Sequence, residues 1–199
     1  RSITIAGIDA IAIRVSFTGD LGWEIYVKTE NQLKLYEALL DTGADLGVRP
    51  VGGRSLLSLR VEKGYGSWGR EYSPEYWPQE VGLERLIKLD KPDFLGKEAY
   101  LKIKDLQPRE KLVVLEVTAD QDADPVGGEP VFLKDGTPVG RVTSGAYGYT
   151  CDKSLAICMI KTDHAQSGTE FHVAVIGQNH EAVMLAEPPF DPKGERLRS

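Results

Sequence analysis

Near Pro108 the spacing of apolar residues changes from helical repeats to strict alternation, and a chain patterned in this way cannot fold as one uniform layer. Before that point, strands and helices alternate. Ile11 to Val15 and Trp23 to Val27 are β-branched and aromatic runs separated by the turn-prone Thr18-Gly19-Asp20. Thr29-Glu30-Asn31-Gln32 reads as a capping box, with Thr29 at the N-cap and Gln32 at N3. Leu33, Tyr36 and Leu40 then recur at helical spacing, and the helix should stop near Gly43 or Gly47. A second helix is expected from Arg54 to Lys63, with Leu56, Leu59 and Lys63 on one stripe and Gly64 ending it. Tyr72 to Pro78 reads as a polar, aromatic loop, followed by a short helix beginning near Phe94. After Pro108, Leu112 to Val117, Pro138 to Thr143, Leu155 to Ile160, Glu170 to Ile176 and Glu181 to Ala186 read as short strands. Turns such as Lys134-Asp135-Gly136 separate them, which argues for a small antiparallel barrel or sandwich. The domain boundary falls between Lys104 and Glu110.

At 199 residues the chain suits one large domain or two small ones. A formal net charge of -6 argues against a general nucleic-acid or anionic-membrane binder, since both need a cationic face. No stretch approaches the roughly 20 apolar residues that cross a bilayer. The chain opens Arg1-Ser2-Ile3-Thr4, without Met and without a signal-peptide pattern, which reads as a piece of a longer protein. Its two cysteines, Cys151 and Cys158, make neither a disulfide scaffold nor a paired zinc motif. They read as reduced thiols of a reducing compartment: the cytoplasm, or the mitochondrial matrix in a eukaryote.

Gly64-Tyr65-Gly66-Ser67-Trp68-Gly69 matches the dinucleotide fingerprint letter for letter, yet that fingerprint needs a strand before it and a helix after it. Here a helix precedes and a Pro-containing loop follows, so a helix end running into a tight aromatic loop is the better reading. His164, His172 and His180 recur every eight residues but lack accompanying carboxylates or thiols at ligand spacing, so no metal is expected. Glu24 is more informative. Strand alternation puts it on one face with Tyr26, opposite Trp23 and Ile25, and a mid-strand carboxylate is disfavoured unless solvated or paired. Such a residue is either exposed, or a partner for Arg14 on the neighbouring strand, or an acceptor for two donors on a ligand edge.

Phe17-Thr18-Gly19-Asp20-Leu21-Gly22-Trp23-Glu24-Ile25-Tyr26 resembles the Y-T-G-E-x-G-x-E-I segment of the glycine-cleavage T-protein (aminomethyltransferase) superfamily. Ser58-Leu59-Arg60-Val61-Glu62 resembles its S-L-R-L-E segment. The ending Glu62-Lys63-Gly64-Tyr65 with Trp68-Gly69 is the variant found in dimethylglycine and sarcosine dehydrogenases and oxidases. Leu89-Asp90-Lys91 with Asp93-Phe94-Leu95-Gly96-Lys97-Glu98-Ala99 is similar to the family's K-L-D-K-x-D-F-I-G-K-E-A. Gly140 to Gly145 and Lys153 to Ala156 resemble its C-terminal barrel, and Pro189-Phe190-Asp191-Pro192 its tail.

The resemblance implies an α+β fold class: a mixed α/β segment of the folate-binding fold over residues 1–106, then a small antiparallel β-barrel over residues 107–199. It covers only about the second half of the family's folate-binding region. The catalytic aspartate and the FAD-binding portion of the dehydrogenase branch would lie outside this chain, so no catalytic residue is expected in it. What it implies for this chain is recognition of tetrahydrofolate. Glu24 aligns with the glutamate that grips the pteridine, whose edge offers an amide N–H beside an exocyclic NH2. Phe17, Tyr65 and Trp68 would supply flat apolar walls. The family arginine four residues before Arg60 is replaced by Leu56, leaving Arg54 to cover part of that role. Arg196 or Arg198 would meet the anionic glutamate end of folate. The implied activity is aminomethyl transfer yielding methylenetetrahydrofolate, the implied partner is the preceding half of the folate-binding region, and self-association is expected without it. A T-protein-like module that binds folate or a partner without chemistry is the alternative, and a demethylase passing a methyl group to tetrahydrofolate is a third reading.

Overall fold

The computed structural model describes residues 1–119 and 123–199, which divide into two compact units: Arg1–Leu57 with Lys193–Ser199, and Ser58–Pro192. The first unit is built on a three-stranded antiparallel sheet of β1 (Ser2–Ile5), β2 (Ile8–Arg14) and β3 (Trp23–Tyr26), in that order. Alternation along β2 buries Ile8, Ala10 and Ala12 and leaves Asp9, Ile11 and Ile13 exposed. Register fixes which side chains share a face, with Ile13 opposite Glu24 and Ile11 opposite Tyr26.

Helix α1 (Gln32–Gly43) begins later than the capping box predicts. Thr29–Asn31 forms a 3-10 turn instead, whose Asn31 N–H bonds the Lys28 carbonyl at 2.9 Å, and no side chain caps the helix. The predicted stop is met at both glycines. Gly43 ends α1 where a Cβ would lie 2.4 Å from Val48, and Gly47 takes the left-handed φ of 75° after a 3-10 turn.

Helix α2 (Gly53–Glu62) occupies nearly the expected span, and of the expected stripe Lys63 is buried and Leu59 half-buried. Leu56 and Leu57 are exposed, whereas Ser58, Arg60, Val61 and Glu62 are buried. Within the second unit, Ser58 Oγ donates to the Tyr147 carbonyl at 2.6 Å, and Glu62 accepts the Thr150 N–H at 2.9 Å. Each of these buried polar side chains thus finds a partner, while among the described residues Arg60 Nε and Glu62 Oε2 are buried without one. Gly64, at φ 67°, closes the helix, with its N–H on Val61 and that of Tyr65 on Arg60. Helix α3 (Lys97–Ile103) starts after the left-handed Gly96, three residues later than Phe94.

The second unit carries a closed antiparallel barrel ordered β4 (Glu110–Val117), β7 (Lys153–Lys161), β6 (Pro138–Gly148), β5 (Pro130–Phe132), β8 (Glu170–Val175), β9 (Gln178–Met184). Closure leaves no free edge and settles the choice between barrel and sandwich. Strand β7 is buried on both faces: Ala156, Cys158 and Ile160 join the barrel interior with Leu115, Val131, Val142, Phe171 and Val173. Leu155 and Ile157 pack outside with Val61 of α2. Each such fully buried Leu or Ile contributes about 1.5–3 kcal/mol. The chain closes on a single helical turn, α4 (Glu195–Arg198), in the first unit.

Among the described residues no helix is long and apolar enough to cross a membrane, and no group of three or more His, Cys, Asp or Glu could hold a metal ion. His164 sits in a 3-10 turn, His172 on β8 and His180 on β9, where its Nδ1 lies 3.3 Å from the Thr118 carbonyl oxygen.

Candidate functional site

In the first unit, Glu24 stands on the open face of the sheet with Tyr26, Ile11 and Ile13. Those three neighbours are exposed by 53%, 51% and 45%, so the carboxylate sits among apolar side chains that this unit leaves uncovered. The Tyr26 hydroxyl donates to Glu24 Oε2, and that bond with the adjacent negative charge raises the phenol's pKa. The alternative partner Arg14 is engaged elsewhere, donating to the Leu197 carbonyl at 3.2 Å. One hydrogen bond to one oxygen leaves a carboxylate with capacity for two parallel donors.

Phe17 is half-buried in the turn between β2 and β3. That turn is held by the Gly19 N–H on Ser16 Oγ at 2.9 Å, and Gly22 packs so closely that a Cβ would meet the Val15 carbonyl at 2.6 Å. Arg196 of α4 reaches Asp20 of the same turn, Nε to Oδ1 at 2.6 Å. Arg198 donates to the Lys193 carbonyl. Arg54 is exposed on the first turn of α2. The first unit therefore joins the Phe17 turn to Arg196 through Asp20.

In the second unit, Tyr65 and Trp68 share the loop after α2. Tyr65 is half-buried, with Lys63 Nζ 5.8 Å from its ring centroid, and Lys63 is itself buried against Asp191 at 3.1 Å. Trp68 is 88% exposed. The loop leans on a buried network that local sequence did not reveal. Arg60 NH1 contacts Glu71 Oε2 at 3.3 Å and donates to the Tyr65 carbonyl at 3.0 Å, and its NH2 donates to Ser144 Oγ at 2.5 Å. Ser144 donates in turn to Glu71 Oε1 at 2.6 Å, and the Ser67 N–H to Glu71 Oε2 at 2.7 Å. Burial pushes the Glu71 carboxyl up, but hydrogen bonds from Ser144 and Ser67 and the Arg60 charge outweigh it and hold it below the ordinary carboxylate value. Burial lowers the Arg60 pKa, with Glu71 acting against that shift. The S-L-R triplet flagged Arg60, but its partners lie 11 and 84 residues away.

Comparison with known proteins agrees with these features. Residues 1–91 match the family model described as the GCVT N-terminal domain, and residues 110–191 match the glycine cleavage T-protein C-terminal barrel domain. The chain is 38% identical over 201 residues to the mitochondrial dimethylglycine dehydrogenase of Homo sapiens, covering 100% of this chain and 23% of that protein. It is 39% identical to the 4-methylaminobutanoate oxidase (formaldehyde-forming) of Paenarthrobacter nicotinovorans, covering 100% of this chain and 24% of the oxidase. With the aminomethyltransferase of Symbiobacterium thermophilum the identity is 36%, over 96% of this chain and 50% of the relative. Among solved structures, the glycine cleavage system aminomethyltransferase T from Bartonella henselae superposes with a TM-score of 0.81 at 26% identity, over 91% of this chain and 50% of that one. The chain thus spans between about a quarter and a half of the length of these relatives. With an open sheet face bearing Glu24, an S-L-R helix and a closed six-stranded barrel in that order, this chain belongs to the glycine cleavage T-protein family and carries the variant motifs of its dimethylglycine dehydrogenase branch.

Proposed function

We propose that this chain is the C-terminal portion of a tetrahydrofolate-dependent aminomethyl transfer module in an enzyme of the dimethylglycine or sarcosine dehydrogenase type. Residues 1–106 would form part of the folate-binding domain and residues 107–199 the barrel domain. The observation that carries the reading is the Glu24 carboxylate, displayed with Tyr26, Ile11 and Ile13 on an uncovered sheet face. Two oxygens in one plane match the amide N–H and exocyclic NH2 of a pterin edge. Within the first unit, Phe17 serves as a further flat contact. Arg54 and Arg196, the latter held by Asp20, are the cations offered to the anionic glutamate end.

When bound, tetrahydrofolate supplies the nitrogen that takes up the one-carbon unit. The part played by this chain is to bind and orient. Glu24 fixes the pterin edge, Tyr26 fixes Glu24, and the aromatic side chains exclude water from the ring faces. The proton-transferring aspartate and the FAD-binding region belong to other parts of the whole protein, and the preceding half of the folate-binding region is the partner that covers the exposed isoleucines. The 199-residue chain alone is therefore expected to lack transferase activity and to self-associate through that face. Family kinship with a mitochondrial enzyme fits a matrix location, as two unpaired thiols fit a reducing one.

The test is a folate titration of the natural protein that bears this segment, beside its Glu24→Ala variant. Binding that weakens with Glu24→Ala supports the reading; binding untouched by it removes Glu24 from the site. Folate bound without methylenetetrahydrofolate formation would favour the non-catalytic module instead.

A further inference from the structure

The second unit holds a cleft of about 710 Å3 beside the end of the barrel where β4 begins and β7 ends. Two arginines of its lining are held in place by protein groups alone. Arg109 directs Nε and NH2 to the fully buried Glu80, gives a second N–H of NH2 to the Glu75 carbonyl at 2.9 Å, and lies over the Trp77 ring. Arg141 donates from NH1 to Glu110 Oε1 at 3.0 Å and from NH2 to the Tyr76 hydroxyl at 2.8 Å. Glu75 and Tyr76 are neighbours in sequence, as are Arg109 and Glu110, so both guanidiniums are fastened to the same stretch of the lining.

A guanidinium carries five N–H groups, and these two do not use all of theirs. Among the described residues, Arg109 NH1 and Arg141 Nε have no acceptor. The Tyr76 oxygen accepts from Arg141, which leaves its own proton to donate. Lys161, exposed at the end of β7, is a third cation of the lining. Register places it opposite Glu110, but Arg141 has taken that carboxylate, and Lys161 Nζ reaches the Pro138 carbonyl at 3.3 Å instead. On the acceptor side, Asp163 is engaged by Gln107 at 3.1 Å, while the exposed Glu75 carboxylate receives no donor among the described residues.

An exposed arginine samples many rotamers, and holding it still costs that freedom. What the two ion pairs supply in exchange is placement. A guanidinium fixed in one orientation presents its N–H groups in the planar geometry that suits carboxylate and phosphate oxygens. We propose that this cleft binds a small oxyanion, a carboxylate or a phosphate group, through Arg109, Arg141, Lys161 and the Tyr76 hydroxyl. The site lies wholly within the second unit and does not draw on Glu24, so it stands apart from the folate reading.

The natural protein bearing this segment is titrated by calorimetry with inorganic phosphate and, separately, with acetate. Ionic strength is held constant with chloride, so that general screening is the same throughout. One saturable site is expected for at least one of the two anions, and the one that binds more tightly names the group. Lys161→Met should weaken that binding roughly threefold, as for an exposed charge pair. Arg141→Gln should weaken it roughly tenfold, as for a hydrogen bond to a charged group. Glu75→Gln should tighten it, because it removes an uncommitted negative charge from the lining. Lys161 and Glu75 are both exposed, so their variants keep the test decisive if Arg141→Gln fails to fold. Absence of saturable binding by either anion overturns the proposal. Binding that is equal in the parent, Lys161→Met and Glu75→Gln puts the anion elsewhere and overturns it as well.

Discussion

Arg109 grips Glu80 through both Nε, at 2.8 Å, and NH2, at 2.7 Å, while the backbone N–H groups of Trp77 and Arg109 donate to the same carboxylate. Glu80 is fully buried whereas the Arg109 side chain is more than half exposed, and the guanidinium lies 5.0 Å from the Trp77 ring centroid. Gln79 adds a bond to the Ile103 carbonyl at 2.9 Å. One carboxylate therefore fastens residues 77–80 to the segment that leads into β4.

Replacing Glu80 by Ala should strip four donors of their acceptor. Arg109 can turn to water, but the Trp77 and Arg109 amides lose their partner, so the cost is on the order of 2–4 kcal/mol. Thermal unfolding should fall by roughly 5–10 °C. A shift below 2 °C would mean that the carboxylate is dispensable.

Acid should destabilise the protein through Glu71 and Glu80 together. Burial raises both carboxyls, but the hydrogen bonds and arginine charges around them prevail, and both sit below their unfolded value near 4.5. A native pKa below the unfolded one means that the unfolded chain binds more protons as pH falls. The stability they contribute is complete above about pH 4.5 and is lost as pH drops toward and through the lower native values. Urea unfolding at successive pH values should show this loss, and Glu80→Gln should flatten the slope in that window. An unchanged slope would exclude Glu80 as a contributor.

Glu24→Ala in the natural protein should cost folate binding roughly 1.5–3 kcal/mol, the range for hydrogen bonds to a charged group. Glu24→Gln should lose nearly as much, because its NH2 would face donors rather than accept from them. Tyr26→Phe should weaken binding less, since the hydroxyl only orients the carboxylate. Isothermal titration of the three variants gives the order, and a Tyr26→Phe loss exceeding that of Glu24→Ala would reverse the assigned roles.

Thiol labelling should be slow at pH 7. Burial pushes Cys158 well above its ordinary value near 9.0, and Cys151 is raised by partial burial and by the Glu62 charge. Cys158 should stay silent until global unfolding, whereas Cys151 should react slowly in the folded state. Rapid labelling of Cys158 would contradict its place inside the barrel.

The barrel was legible because alternation survives wherever one strand face meets a core. Four strands announced themselves in this way and β7, buried on both faces, as the unbroken apolar run Leu155 to Ile160, while β5, three residues long, is too short to show a period. Strand β1 alternates over four residues only and was also missed. Helix α2 misled for a different reason. Its leucines suggested an apolar stripe, but Ser58, Arg60 and Glu62 find partners 84 to 89 residues away, which only folding brings close. The candidate site divides likewise. Glu24 could be placed on a strand face with Tyr26 from alternation alone, whereas the Asp20–Arg196 pair spans 176 residues and has no local signal.

Gly66 offers the sharpest steric test of the loop. A Cβ there would lie 2.6 Å from Tyr72 Cε1, 2.7 Å from its Cζ and 2.9 Å from Glu71 Cβ. Gly69, three residues on, has a left-handed φ of 80° but open space around its Cα. Gly69→Ala should therefore cost only the backbone penalty, about 1 kcal/mol. Gly66→Ala must displace a ring that also accepts its own N–H, and overpacking of this kind costs about 1–3 kcal/mol. Denaturant unfolding should rank Gly66→Ala below Gly69→Ala, and Tyr72→Ala should recover part of the loss in the double variant, since it removes the obstructing ring. Strictly additive losses for Gly66→Ala and Tyr72→Ala would show that the ring is not what keeps a glycine at position 66.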